Sequence, residues 1–93
     1  MTRRVVITGM AGISPLGSNW PTARKTLQDG RSCVVSHPHW NEIEGLQTRL
    51  GAPVTDFEKP EHFGRKKTRS MGRVALLATH ATELALQQAG LLD

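Results

Sequence analysis

The sequence predicts an α/β fold, and within that class one piece of a larger layered domain. Three observations carry this prediction: a β-branched run near the start, a long helix rich in small residues near the end, and a length of 93 residues with only 4% aromatic side chains. A chain of this size buries only about 60% of the surface that its unfolded state exposes. Because large aromatic side chains are few, the hydrophobic core needs aliphatic side chains or a covering layer from elsewhere.

The first predicted element is a strand over Arg4–Thr8, which Gly9 ends. Its residues Val5, Val6 and Ile7 are consecutive, so both faces of the strand are apolar. This pattern is typical of a strand covered on both sides, and we expect the strand to be buried.

A short helix follows the turn residues Ser14–Asn19. Ser18 or Asn19 caps its start, a proline lies in its first turn, and Gly30 stops it. The predicted helix covers Trp20–Asp29. Beyond it the chain reads as an irregular loop broken by prolines, with one short strand predicted over Leu46–Val54.

The last predicted element is a long helix over Lys66–Ala89, ended by Gly90 in the position that follows a helix. One stripe of this helix consists of small residues: Val74, Ala78, Ala81, Ala85 and Ala89. Small side chains let another backbone approach closely, and the apolar arc is wide. We therefore expect this helix to be buried on more than one side.

The composition excludes several classes of protein. A single cysteine rules out an intramolecular disulfide and any zinc site with several cysteines. No apolar run approaches the ~20 residues of a membrane span, and we predict a soluble, cytoplasmic protein without membrane association. The net charge of +4, from 12 basic and 8 acidic residues, points to an acidic partner.

The residues that could bind a phosphate, act as a nucleophile or ligate a metal do not make up a complete site. The turn containing Gly9 and Gly12 lacks the further glycines of a dinucleotide site and the Gly-Lys-Ser/Thr of a P-loop. Cys33 is followed by two valines, which suggests burial rather than a nucleophile. His37 and His39 are only two ligands and do not complete a metal site. We predict no catalytic, cofactor-binding or metal-binding residue in this chain.

A basic cluster at the start of the long helix is the one candidate binding surface: Arg65, Lys66, Lys67 and Arg69. A helix N-terminus carries partial positive charge, so each cation there costs a few tenths of a kcal/mol. Such a local conflict indicates a function, although a solvated charged face remains an alternative.

Three segments together resemble the N-terminal part of a β-ketoacyl-[acyl carrier protein] synthase. The run Arg3–Gly17 looks like that family's first strand and turn, and Leu27, Gly30 and Ser32 look like the end of its first helix. The run Arg65–Gly90 looks like its long buried helix. The resemblance covers nearly the whole chain, with a looser match over His37–Glu61.

This resemblance implies a thiolase-like layered α/β fold, with residues 1–93 forming an incomplete N-terminal domain. It implies a decarboxylative condensation of malonyl-carrier protein with an acyl group held on a cysteine, in a homodimeric enzyme. The chain itself needs no cofactor, because phosphopantetheine is carried by the partner acyl carrier protein. Neither Cys33 nor any histidine here matches the family's catalytic cysteine and two histidines, so the resemblance implies that the chain alone is inactive.

The resemblance also implies a role for the basic cluster. In the family, basic residues at the positions of Lys66 and Arg69 contribute to docking of the acidic carrier protein, while Arg65 and Lys67 flank them. Ser70 stands where the family often has another basic residue, which implies either that docking is weaker here or that it relies on Arg73.

Two other functions stay open on the sequence alone. A small basic module that binds nucleic acid would explain the charge, but the chain lacks a recognised motif and exposed aromatic residues for stacking. A nucleotide-binding βα unit would explain the glycine-rich turn, but the glycine spacing does not fit.

Overall fold

A computed structural model describes residues 2–92 and divides the chain into two compact units. One unit is Ile13–Asp56, and the other combines residues 2–12 with residues 57–92. The elements in chain order are helix α1 (Trp20–Gln28), strand β1 (Val35–Ser36), a 3₁₀ helix (Pro38–Glu42), strand β2 (Leu50–Gly51), helix α2 (Arg65–Thr68) and helix α3 (Arg73–Gln88).

Helix α1 of the first unit forms where the sequence predicts it, with its end one residue earlier. Of the two candidate caps, Asn19 is used: its side-chain Oδ1 accepts a hydrogen bond of 2.9 Å from the backbone N–H of Thr22. At the other end, the backbone N–H of Gly30 donates to the carbonyl of Leu27 at 3.1 Å. Caps of this kind satisfy the backbone groups that a helix end leaves unpaired.

Strands β1 and β2 form a two-stranded antiparallel sheet in the same unit, with Val35 opposite Gly51 and Ser36 opposite Leu50. The predicted strand Leu46–Val54 is therefore much too long, because only two of its residues pair. Neither the partner strand nor the 3₁₀ helix is visible in the sequence pattern. The ladder ends where the backbone N–H of His37 donates to the backbone carbonyl of Arg49. The 3₁₀ helix begins at the next residue.

Two helices replace the single long helix predicted over Lys66–Ala89. The backbone N–H of Met71 donates to the carbonyl of Thr68 at 2.9 Å, which closes a turn after α2. Gly72 then takes an extended conformation, with ψ of −179°, and becomes the N-cap of α3. Glycine has low helix propensity, so the prediction of one continuous helix is wrong at this point.

The rest of residues 2–92 does not bury the segment Arg4–Thr8 or helix α3, which agrees with the expectation that their covering layer comes from elsewhere. Val5 is 92% exposed and Ile7 82%, and no residue of α3 is buried. A strand needs a hydrogen-bonding neighbour, and no described residue pairs with Arg4–Thr8. Among residues 2–92 the only buried apolar side chain is Phe63.

The close backbone approach predicted for the small-residue stripe is confirmed at Gly9. A Cβ atom at Gly9 would overlap the carbonyl oxygen of Ala85 and lie 2.9 Å from the Cβ of Ala89. Beside this contact, the backbone N–H of Met10 donates to Oε1 of Gln88 at 2.7 Å. Gly9 is therefore required by contact with the end of α3.

We expect Gly9→Ala to lower the free energy of unfolding by about 1–3 kcal/mol, because the added methyl group overpacks this contact. Gly12→Ala is the matched control, since a Cβ there meets no atom within 4 Å. Urea unfolding of both variants, made in the full-length protein, measures the difference. Equal unfolding midpoints for the two variants would contradict the contact.

The exposed apolar side chains predict that the 93-residue chain by itself associates or unfolds over a broad temperature range. Val5, Ile7 and the 81% exposed Val74 present apolar surface without a covering layer. Sedimentation and thermal melting test this expectation. A monodisperse monomer with a sharp, cooperative melt would contradict it.

Candidate functional site

The basic segment, defined as Arg65, Lys66, Lys67 and Arg69, forms helix α2 and its C-cap. All four residues are exposed. No acidic residue lies in the first turn, and the N-cap Gly64 supplies no side-chain acceptor. Among residues 2–92 no acidic side chain pairs with any of the four. The segment therefore presents four positive charges that the described part of the chain does not neutralise.

Lys66 and Arg69 lie on the same face of one helical turn. Arg69 keeps helical backbone angles, with φ of −65° and ψ of −20°, although it follows the last residue of α2. Residues three apart in a helix are neighbours on its surface. The two cations can therefore reach the same partner.

Two buried residues, Phe63 and Thr68, hold the segment from its inner side. The hydroxyl of Thr68 donates to the carbonyl of Gly64 at 3.2 Å, and its backbone N–H donates to the same oxygen at 3.1 Å. Just before α2, the backbone N–H of Phe63 donates to the carbonyl of Pro60 at 3.0 Å. Because Thr68 faces inward, the basic side chains of the same turn face solvent.

Arg73, the further basic residue considered for docking, lies at the start of α3. The carbon atom of its guanidinium group is 5.7 Å from the centroid of the Phe57 ring, which is within the range of a cation–π contact. Arg73 is exposed, as is Ser70, so its charge adds to the field near the basic segment. The contact joins Arg73 to Phe57, a residue of the same compact unit.

A histidine–carboxylate pair lies beside the basic segment. Nε2 of His62 is 2.7 Å from both carboxylate oxygens of Glu83, on α3. One turn earlier on α3, His80 lies against the rings of Phe57 and Phe63, with centroid distances of 5.8 and 6.1 Å. His62 and Glu83 are 21 positions apart in sequence, so no local signal would have revealed this pair.

The other candidate residues form no site within residues 2–92. Cys33 is half-buried and both valines after it are exposed, so the predicted burial of Cys33 is only partial. The ring of His37 stacks on that of Trp40, with centroids 4.2 Å apart, which engages one of the two loop histidines. No described group of three or more His, Cys, Asp or Glu residues is placed to hold a metal ion.

None of the helices described here is both long enough and apolar enough to cross a membrane.

Residues 2–93 match the model of the β-ketoacyl synthase N-terminal domain. The chain is 40% identical over 92 residues to nodulation protein E of Rhizobium sp. (strain N33), covering 98% of this chain and 22% of that protein. It is 34% identical over 89 residues to 3-oxoacyl-[acyl-carrier-protein] synthase 2 of Vibrio harveyi, covering 96% of this chain and 21% of that protein.

A crystal structure of a β-ketoacyl synthase from Burkholderia phymatum STM815 matches 99% of this chain with a TM-score of 0.91 and 49% identity. This similarity confirms the predicted α/β fold class. The chain spans 22% of the length of that structure. Neither alternative function, the nucleic-acid module or the nucleotide-binding unit, is supported by these similarities.

Proposed function

Because the chain belongs to the β-ketoacyl synthase family, matching its N-terminal domain, we propose that it is part of an enzyme that elongates acyl chains on acyl carrier protein. In this reaction the acyl group is held as a thioester on an enzyme cysteine. The malonyl group loses carbon dioxide, and the carbanion that results attacks the thioester carbonyl. The new carbon–carbon bond forms as the cysteine thiolate leaves.

Within such an enzyme, residues 1–93 contribute scaffold and a docking surface, while the catalytic cysteine and histidines belong to other parts of the fold. The observation that carries the proposal is the agreement of sequence and structure over nearly the whole chain, at 49% identity and a TM-score of 0.91. The name of the Vibrio harveyi relative supports acyl carrier protein as the substrate carrier.

The docking surface that we propose is the basic segment, with Lys66 and Arg69 in contact with the carrier protein. Arg65 and Lys67 strengthen the field around them. Acyl carrier proteins are acidic, and the four cations are exposed and unneutralised within the described residues. Charges of this kind act mainly on the rate of association, and salt screens them over about 8–10 Å.

We further propose that the enzyme is a cytoplasmic homodimer and that it carries no cofactor of its own. Phosphopantetheine enters the reaction on the acyl carrier protein. The exposed apolar run Val5–Ile7 supports burial within a larger protein, since an isolated chain would leave it in water.

The proposed function is tested with the full-length protein, supplied with acyl- and malonyl-carrier protein. We expect carbon dioxide release together with a 3-oxoacyl product on the carrier. The same protein supplied with carrier-free thioesters provides the reference for docking. Absence of turnover with both kinds of substrate would contradict the proposed function.

A further inference from the structure

Helix α2 is too short to fix its own direction. It has four residues and no side-chain cap, and residues 69–72, which belong to neither helix, separate it from α3. Its backbone hydrogen bonds are therefore few, and an isolated helix of this length is not stable in water. The direction of its basic side chains depends on what anchors the chain at its two ends.

The anchor on the N-terminal side consists of two consecutive residues that lie against one face of α3. His62 contacts the carboxylate of Glu83, and Phe63 lies against the ring of His80. His80 and Glu83 are three residues apart in α3, so they share a face. The chain is thus held on α3 immediately before Gly64 and the first turn of α2.

The His62–Glu83 contact is the polar half of this anchor and is geometrically specific. Both carboxylate oxygens lie 2.7 Å from Nε2, a short distance typical of a hydrogen bond to an ionised group. The side chain of Glu83 is 20% exposed and that of His62 is 61% exposed. Partial shielding of the carboxylate from water strengthens the contact.

We propose that His62 and Glu83 are positioning residues for carrier-protein docking, which act by holding the basic segment in its orientation on α3. The inference rests on the proposed function, because it assigns to the pair an effect on the docking surface described above. Neither residue needs to contact the carrier protein.

Removing the charge of Glu83 distinguishes a positioning role from a direct effect of that charge on the electrostatic field around the basic segment. Glu83→Ala removes a negative charge close to a surface that attracts an acidic protein, so a field effect alone predicts stronger docking and a lower KM. Positioning predicts the opposite, a higher KM, because the basic segment loses its fixed direction. Glu61→Ala is the matched control, since it removes an exposed carboxylate beside His62 that makes no hydrogen bond or ion pair within residues 2–92.

The test measures steady-state kinetics of the full-length enzyme with carrier-bound and carrier-free thioesters. We expect His62→Ala and Glu83→Ala each to raise KM for the carrier substrate about threefold, the scale of a single hydrogen bond. We expect kcat, and the rates with carrier-free thioesters, to stay unchanged. The double variant should be no worse than either single variant, and the exchanged pair His62→Glu with Glu83→His should recover part of the loss.

A lower KM for Glu83→Ala, equal to that for Glu61→Ala, would overturn the positioning role. A loss of activity on carrier-free thioesters, with a lower melting temperature, would show a general structural role and would overturn it as well. In both cases Lys66→Glu with Arg69→Glu would still raise KM if the docking proposal is correct. If that double reversal also has no effect, the docking proposal itself fails.

Discussion

Malonyl-carrier protein is expected to release carbon dioxide no faster with the 93-residue chain than in buffer. Condensation needs an activated thiolate and a neighbouring base. Cys33 is half-buried, and among residues 2–92 no hydrogen bond or ion pair joins its thiol to a histidine or lysine side chain. The expected change is therefore a complete loss relative to a full-length synthase.

The measurement uses labelled malonyl-carrier protein together with acyl-carrier protein, and follows the released carbon dioxide. Cys33→Ala serves as the control. Turnover above the buffer rate that disappears in this variant would make Cys33 a nucleophile and would contradict the assignment of this chain to scaffold and docking.

The second large effect is expected from Lys66→Glu combined with Arg69→Glu in the full-length enzyme. The two reversals change the charge of one helical turn by four units, at the face that we propose meets the acidic carrier protein. We expect KM for the carrier substrate to rise at least about tenfold at low salt, because close like charges are unfavourable and association slows. The turnover number at saturation should change much less.

Arg24→Glu with Lys25→Glu is the matched control for this double reversal. It makes the same change in charge with the same residue types, on the exposed surface of α1. We expect its effect on KM to be small, and carrier-free thioesters to react at nearly the wild-type rate with both variants. Equal effects of the two double reversals would mean that only net charge matters and that the basic segment is an ordinary solvated helix end.

Features determined by neighbouring residues could be predicted from the sequence. Helix α1 has a local cap at Asn19 and a local stop at Gly30, so its bounds differ from the prediction by one residue. The small-residue stripe predicted that another backbone approaches the long helix closely, although it did not show that Gly9 is the partner. In each case the predictable part depends on local side-chain size or on a hydrogen bond within a few residues.

Features that depend on distant partners could not be predicted. The strand expected at Arg4–Thr8 has strand-forming residues, but no described segment provides its ladder, so its side chains stay exposed. The pairing of Val35 with Gly51 selects only two residues of the long strand predicted around Leu50. Gly72 is a local signal for the break before α3. The prediction followed the helical periodicity instead, because that periodicity continues through Gly72.

The candidate site also has one part that the sequence predicts and one part that it does not. The basic segment is contiguous in sequence, and its conflict with the helix dipole marks it without a structure. Its anchor is not contiguous: the contact of His62 with Glu83 joins residues that no periodicity relates. Only the folded chain shows that Phe63 and His80 meet beside this pair.

We propose that the basic segment attracts an acidic carrier protein, and the rate constant of their association reports this attraction apart from the chemical step. Rapid-mixing measurements would compare the full-length enzyme, Lys66→Glu with Arg69→Glu, and Arg24→Glu with Lys25→Glu, at salt concentrations from roughly 0.02 to 0.5 M. We expect the association rate constant to fall steeply with salt for the wild type and for the control pair. For the double reversal in the basic segment, we expect a lower rate constant that depends little on salt. The same salt dependence for all three proteins would contradict the proposed attraction.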